Sequence, residues 1–292
     1  MGLGLAAGIG GFNKNSLPHR FSPLSIGGCV AWYDFSDQRY LWEDIARTTN
    51  PQTDGRPVRL VDNKAFYHGA LKGSTTCIGK AVSSSSVGGT PVLSLSTGAQ
   101  RCVTFDGSDD FMQARPGVTQ TQVSASLLSG TNLGMSNITV FFVIKSDATT
   151  GDNNTAPWSF KDDDTDMFAC ELQTNRWHMT SKQNSPRLTK QEDSNVALTS
   201  NIELWTMHMD SSTDSSFYRN GNTAHGFTDG DTTNGTINLD VNHVDVFFKV
   251  GCDPAEGDFF DGNIYHIVIY KSALSAANIT KVENYFKARY GV

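Results

Sequence analysis

The heptapeptide Ile264-Tyr265-His266-Ile267-Val268-Ile269-Tyr270 constrains this chain more than any other stretch, because every residue in it except His266 is aliphatic or aromatic. β-branched and aromatic residues favour a pleated, buried surface, and apolar side chains on both faces predict a central strand covered on each side. Strict alternation would put Ile264, His266, Val268 and Tyr270 on one face and Tyr265, Ile267 and Ile269 on the other. The strand enters from a turn at Asp261-Gly262 and stops at Lys271–Ser275. Ser275 is placed as an N-cap for a helix over 276–289. On that helix Ile279, Val282, Phe286 and Tyr290 recur at three- and four-residue spacing, a stripe that can lie on a sheet, while Lys281, Glu283 and Lys287 are expected in solvent.

Further strands are legible upstream. Ile138–Ile144 is β-branched and aromatic throughout and reads as the most deeply buried. Cys29–Asp34 reads as the first strand of the domain. Cys102–Met112 turns at Asp106-Gly107, a corner between two strands. Leu204–Asp210 is expected to pair with Ser216–Asn222, with Asn220-Gly221 as a hairpin turn. The loop-rich excursion from Phe35 to Asn63 turns at Asp54-Gly55, the stretch 81–89 is a Ser/Gly-rich connector, and 150–200 reads as short strands between long polar loops. With 27 glycines, 38% hydrophobic and 18% charged residues, the composition suits one sandwich of many short strands better than two domains.

Three strings carry a resemblance. Phe260-x-Gly262-x-Ile264 with its apolar strand, Tyr270-x-x-x-Leu274-Ser275-x-x-x-Ile279, and Phe105-Asp106-Gly107-x-x-Asp110 resemble elements of laminin-G-like, concanavalin-A-like jelly rolls. The resemblance implies an all-β, two-sheet antiparallel jelly-roll sandwich over 29–292 with a short C-terminal helix, preceded by an extended arm over 1–28. A second resemblance covers Trp32-Tyr33-Asp34-Phe35-Ser36-Asp37, Leu41-Trp42-Glu43-Asp44, Asp54-Gly55-Arg56-Pro57-Val58 and Val61-Asp62. These look like a module near the N-terminus of tailed-bacteriophage structural proteins, which often begin with a Gly/Leu-rich arm. It implies a non-enzymatic virion protein, a capsid decoration or a tail or fibre component, synthesised in the host cytoplasm. Its partners would be other virion proteins and further copies of itself in a homo-oligomer. The alternative is a carbohydrate-binding module that recognises a host surface glycan.

The first twelve residues hold five glycines together with Leu3, Leu5, Ile9 and Phe12. Such a strip has too little to bury by itself and is costly to leave exposed, so it reads as an assembly arm. A net charge of −7 argues against nucleic acid as a partner, and no run approaches the roughly 18 apolar residues of a membrane span. Five widely spaced cysteines without a C-x-x-C pair read as small buried residues.

Local motifs for chemistry are sparse. The Glu-x-Asp-x-Glu string of sandwich glucanases is absent, and Asp162-Asp163-Asp164-Thr165-Asp166 reads as a solvated loop. His208 and His266 lie inside apolar strands, where a satisfied imidazole is the default. No catalytic residues are assigned and no cofactor is required. Calcium needs six to eight oxygen ligands, and the turns holding Asp106, Asp109 and Asp110, and Asp258 and Asp261, are the candidates to supply them. Trp32 and Trp205 read as core. Trp158 and Trp177 fall in loop-rich sequence and are the candidate sugar contacts.

Overall fold

This computed structural model describes residues 21–65, 81–84, 89–95, 100–114, 133–134, 137–147, 155–161, 167–173, 176–182, 187–192, 200–209, 215–221, 227–229, 238–239 and 247–292. Its strands are, in chain order, β1 (Cys29–Asp34), β2 (Leu41–Trp42), β3 (Leu60–Asp62), β4 (Ala81–Ser84), β5 (Val92–Leu95), β6 (Arg101–Asp106) and β7 (Met112–Ala114). There follow β8 (Leu133–Gly134), β9 (Ile138–Ser146), β10 (Thr155–Lys161), β11 (Met167–Gln173), β12 (Arg176–Lys182) and β13 (Arg187–Glu192). The last are β14 (Glu203–Met209), β15 (Ser215–Arg219), β16 (Phe227–Asp229), β17 (Asn238–Leu239), β18 (Phe247–Val250) and β19 (Asp261–Tyr270), before the helix α1 (Ala276–Tyr290).

All but two of the strands form two antiparallel sheets, as the jelly-roll expectation requires, and the short β8 and β17 pair with each other apart from them. The seven-stranded sheet has the order β15-β14-β9-β19-β6-β5, with β1 also paired to β19. The ten-stranded sheet has the order β16-β13-β12-β11-β10-β18-β7-β4-β3-β2. The polar stretch 150–200 is thus more regular than its composition suggests, since β10, β11, β12 and β13 pair in succession within the larger sheet. β19 holds the smaller sheet together. β9 follows one edge from Gly262 to Tyr270, and the other edge is shared by β6 along Asp261–Ile264 and β1 along Cys29–Asp34.

Between the sheets lies the main core, where Phe142, Ile144, Trp205, Ile264, Ile267 and Ile269 meet Trp158, Phe160, Phe248 and Val250. Cys29, Cys102, Cys170 and Cys252 are buried, as expected. The opposite face of the seven-stranded sheet carries a second core, in which Phe141, Val143, Val268 and Tyr270 meet Ile279, Val282 and Phe286 of α1. β19 is therefore buried on both faces because a sheet covers one and a helix the other.

Its alternation is broken, however. Ile264 pairs with Ile144 and His266 with Val143, leaving Tyr265 as the extra residue of a β-bulge. Tyr265 and His266 consequently both face the helix, where the His266 ring lies 4.9 Å from that of Phe286. Ile264 and Ile267 both face the main core. The two-residue period expected for this strand fails at one position, and that position orients its only polar side chain on this stretch.

Ser275 is the N-cap residue, but its side chain makes no capping bond; its carbonyl accepts from Asn278 and Ile279 N–H instead. Gly291 closes the helix in the left-handed conformation, donating its N–H to the Lys287 carbonyl. Lys281 is exposed and Lys287 half-buried, whereas Glu283 departs from expectation and is buried. It is covered because α1 also lies over β14, and it accepts a 2.9 Å hydrogen bond from the Thr206 hydroxyl. Asn220-Gly221 is a turn with both residues at positive φ, but it leads out of β15 rather than joining it to β14.

The arm residues Leu3, Leu5, Ile9 and Phe12 lie outside the described residues. Residues 21–28, expected as the end of the extended arm, fold onto the domain. Pro23–Ser25 is a 3-10 turn whose first carbonyl accepts from the Tyr270 hydroxyl at 2.8 Å, and Phe21, Leu24 and Ile26 pack on the second core.

Phe286→Ala deletes a fully buried ring from this second core and is expected to cost about 3–5 kcal/mol in urea unfolding. Lys281→Ala is expected to change the midpoint little, and a Phe286→Ala protein of unchanged stability would contradict the helix placement.

Candidate functional site

Among the described residues, the corner between β6 and β7 brings together a cluster of three carboxylates. Asp106 ends β6 and its Oδ1 accepts from Ser108 and Asp109 N–H, curling the turn so that Asp109 and Asp110 come round to face it. One carboxylate oxygen from each of Asp106, Asp109 and Asp110 lies within 4.8 Å of the others. Asp110 is buried, and this burial, with the charges of Asp106 and Asp109, pushes its carboxyl up to about 6 against the weaker opposing pull of the Asp106 N–H. Asp261 pairs with Asp106 across the sheet, and burial followed by the charges of Asp147 and Asp106 raises it as well. Asp258 belongs elsewhere: its N–H is bound by the Asp253 carboxylate in a separate loop. Three of the five acidic candidates thus converge, with Asp261 beside them across the sheet. Hard oxygen donors crowded enough to repel one another suit a hard cation such as calcium.

A second cluster, not anticipated from the sequence, lies beneath α1. Asp34, at the end of β1, and His266, at the bulge, are both fully buried. The Asp34 carboxylate takes Lys64 Nζ at 2.5 Å and the Ser36 hydroxyl at 2.6 Å. His266 Nε2 meets the Tyr290 hydroxyl at 2.6 Å, and Nδ1 accepts the Trp32 indole N–H at 3.3 Å. Burial pulls the imidazole down to about 3, and the Asp34 carboxylate 3.4 Å away does not reverse this, so the ring is neutral. Burial also raises Asp34, but the basic groups around it, Lys64 and Arg289 among them, hold it below the usual carboxylate range.

Ser36, His266 and Asp34 name the members of a nucleophilic triad without its geometry. The Ser36 proton goes to Asp34, its hydroxyl is 3.4 Å from His266 Nε2, and Tyr290 occupies that nitrogen at closer range. The cluster fastens β1, the following loop and α1 together. Its only sequence signal was a charged residue and a histidine at the edges of apolar strands.

Beside this cluster, a recess of about 580 Å³ opens where β9, β14, β15 and α1 end together. Tyr265 and Tyr290 line it, with Lys145, Ser200, Asn201 and Asn220. Trp158, a candidate sugar contact, is wholly buried in the main core against Phe142 and Phe160, because the segment around it is strand rather than loop. Trp177 is placed by its backbone on β12 opposite Leu172, and its side chain lies outside the described part. Trp32 and Trp205 are buried as expected.

No family model matches this chain, and no curated protein matches it in sequence. Among solved structures it is similar to domain 4 of an extracellular arabinanase from Geobacillus stearothermophilus, in complex with arabinotriose. That similarity covers 87% of this chain and 98% of that one, with a TM-score of 0.52 and 14% identity. A sialidase from Trypanosoma rangeli aligns over 89% of this chain and 33% of its own, at TM-score 0.48 and 10% identity. A CBM40 of an IT-sialidase from Ruminococcus gnavus, bound to alpha2,3 sialyllactose, aligns over 62% of this chain and 95% of its own, at TM-score 0.43 and 12% identity. The first of these supports the sandwich fold.

If the acidic corner takes calcium, the melting temperature rises in millimolar calcium relative to chelator, and Asp109→Asn removes the rise. Equal melting curves in calcium and chelator would count against the assignment.

His266 binds its proton more weakly folded, at about 3, than unfolded, at about 6.5. Its contribution to stability is therefore present above about pH 6.5 and lost as pH falls towards 3, at up to about 1.4 kcal/mol per unit. Asp110, raised to about 6, opposes this below that pH because it binds its proton more tightly in the fold. The comparison of wild type with His266→Gln isolates the histidine: urea unfolding from pH 7 to 4 should lose stability less steeply in the variant.

Proposed function

We propose that this chain is a non-catalytic carbohydrate-binding domain of the jelly-roll type. The observation that carries the reading is its likeness, over 87% of its length, to nearly the whole of an arabinanase domain solved with arabinotriose. A shared sandwich does not by itself confer a ligand, since one fold hosts many functions. The recess beside α1 adds chemistry that sugar recognition uses, with amide, hydroxyl and amine groups along its wall.

The virion setting implied by the resemblance around Trp32–Asp37 is retained as the place where such a domain would meet a host glycan, with Leu3, Leu5, Ile9 and Phe12 as its anchor. Neither the fold nor the comparisons add support to that setting. The test is an array of plant, animal and bacterial-surface glycans probed with the full chain. Saturable binding to a defined oligosaccharide is expected, a bacterial-surface ligand would favour the virion setting, and no binding across the array would overturn the carbohydrate reading.

A further inference from the structure

Resting on that carbohydrate-binding reading, we infer that the recess at the C-terminal end of α1 is the saccharide site and that it receives the neutral, hydroxyl-bearing end of an oligosaccharide. At about 580 Å³ it lies within the range of about 300–1,000 Å³ common to ligand sites. In a chain of net charge −7, none of the described residues lining it is an aspartate or glutamate.

Its floor is rigid. The Tyr290 hydroxyl is held by His266 at 2.6 Å, and the Tyr265 and Tyr290 rings meet edge to face with centroids 5.3 Å apart. The bulge in β19 is what delivers Tyr265 to this face. Tyr265 and Tyr290 are only 1% and 9% exposed, so they close the bottom of the recess and leave its polar wall to meet a ligand.

The polar wall is built as firmly. Asn220 stands at φ 52°, donates its N–H to the Leu204 carbonyl at 2.7 Å and accepts the Leu204 N–H on its Oδ1 at 2.9 Å. These two bonds fix the amide and use its acceptor. Nδ2 is left with two donors and, among the described residues, no hydrogen bond of its own. Lys145 and Ser200 add further donors.

At the helix end Tyr290 and Gly291 line the recess, whereas the Lys287 carbonyl already accepts from Gly291 N–H and the Arg289 carbonyl from Gln100 Nε2. The same carbonyls carry the negative pole of the helix, which disfavours a carboxylate. Lys145 does not offset that pole fully, since Asp147 already pairs with it at 3.3 Å. A site with fixed donors beside a helix C-terminus matches sugar hydroxyls better than it matches an acidic group.

Two variants of the full chain test this. Asn220→Asp keeps an oxygen for the Leu204 N–H and tolerates positive φ, but deletes the Nδ2 donors. Ser200→Trp places a bulky ring at the exposed rim. Affinities for arabinotriose and for the neutral and carboxylated oligosaccharides that bind on the array are measured by titration calorimetry, with melting curves confirming folding. The inference expects neutral ligands to bind, Asn220→Asp to weaken them about fivefold, as for one lost hydrogen bond, and Ser200→Trp to abolish binding. Wild-type affinity in both folded variants would overturn the site while leaving the carbohydrate reading intact. Preference for carboxylated ligands would overturn the ligand class, and absence of any binding by wild type would overturn both readings.

Discussion

The single extra residue in β19 decides what the outer face of this sandwich can hold. A strand with a strict two-residue period would have sent Tyr265 into the main core and Ile264 to the helix face beside His266, Val268 and Tyr270. With the bulge between Ile264 and His266, two neighbouring side chains face α1 together. One becomes the buried hub that binds Tyr290 and Trp32, and the other becomes part of the recess floor. The outer core, the helix position and the candidate ligand site all follow from that local slip of register.

Burying Asp34, Lys64 and His266 under a helix is costly, since each charge leaves water. The arrangement limits the cost in two ways. His266 stays neutral, with burial outweighing the nearby carboxylate, and each Asp34 oxygen is occupied, one by Lys64 and the other by Ser36. Lys64 in turn reaches Asp37 at 3.0 Å and sits 4.6 Å above the Trp32 ring. Such a network contributes less to net stability than apolar packing of equal volume would. It does specify position, because it ties the segment 32–37 to Lys64, to His266 on β19 and to Tyr290 on α1.

The two sheets, the closing helix and its apolar stripe were legible in the sequence because they rest on local periodicity: β-branched runs at Ile138–Ile144 and Ile264–Tyr270, and three- and four-residue spacing from Ile279 to Tyr290. What was not legible depends on contacts between distant segments. Glu283 looks like a solvated charge on a helical wheel and is buried only because α1 lies over β14. Trp158 lies in polar, glycine-containing sequence, and its pairing to Val250 on β18 makes it core. The acidic turn could be named from its own residues, whereas the recess could not. Its walls come from the ends of β9, β14, β15 and α1, which no sequence window brings together.

Gly262 shows how tightly the two candidate regions are tied to the same strand. It stands at φ 142°, and a Cβ there would lie 2.3 Å from the Lys145 carbonyl oxygen, closer than any side chain can be. β9 and β19 can approach only because that position is bare. On one side of Gly262, Asp261 faces Asp106 in the acidic corner; on the other, the bulge presents Tyr265 to the recess. Across the pair, Lys145 lines the recess while Asp147 takes its charge and donates its backbone N–H to the Asp261 carbonyl at 3.1 Å. The Lys145–Asp147 ion pair therefore stands between a cluster of carboxylates and a recess without acidic side chains. It separates two environments of opposite chemical character within a few residues of one strand, so a hard cation and a neutral polyol could each find a suitable surface without competing for the same groups.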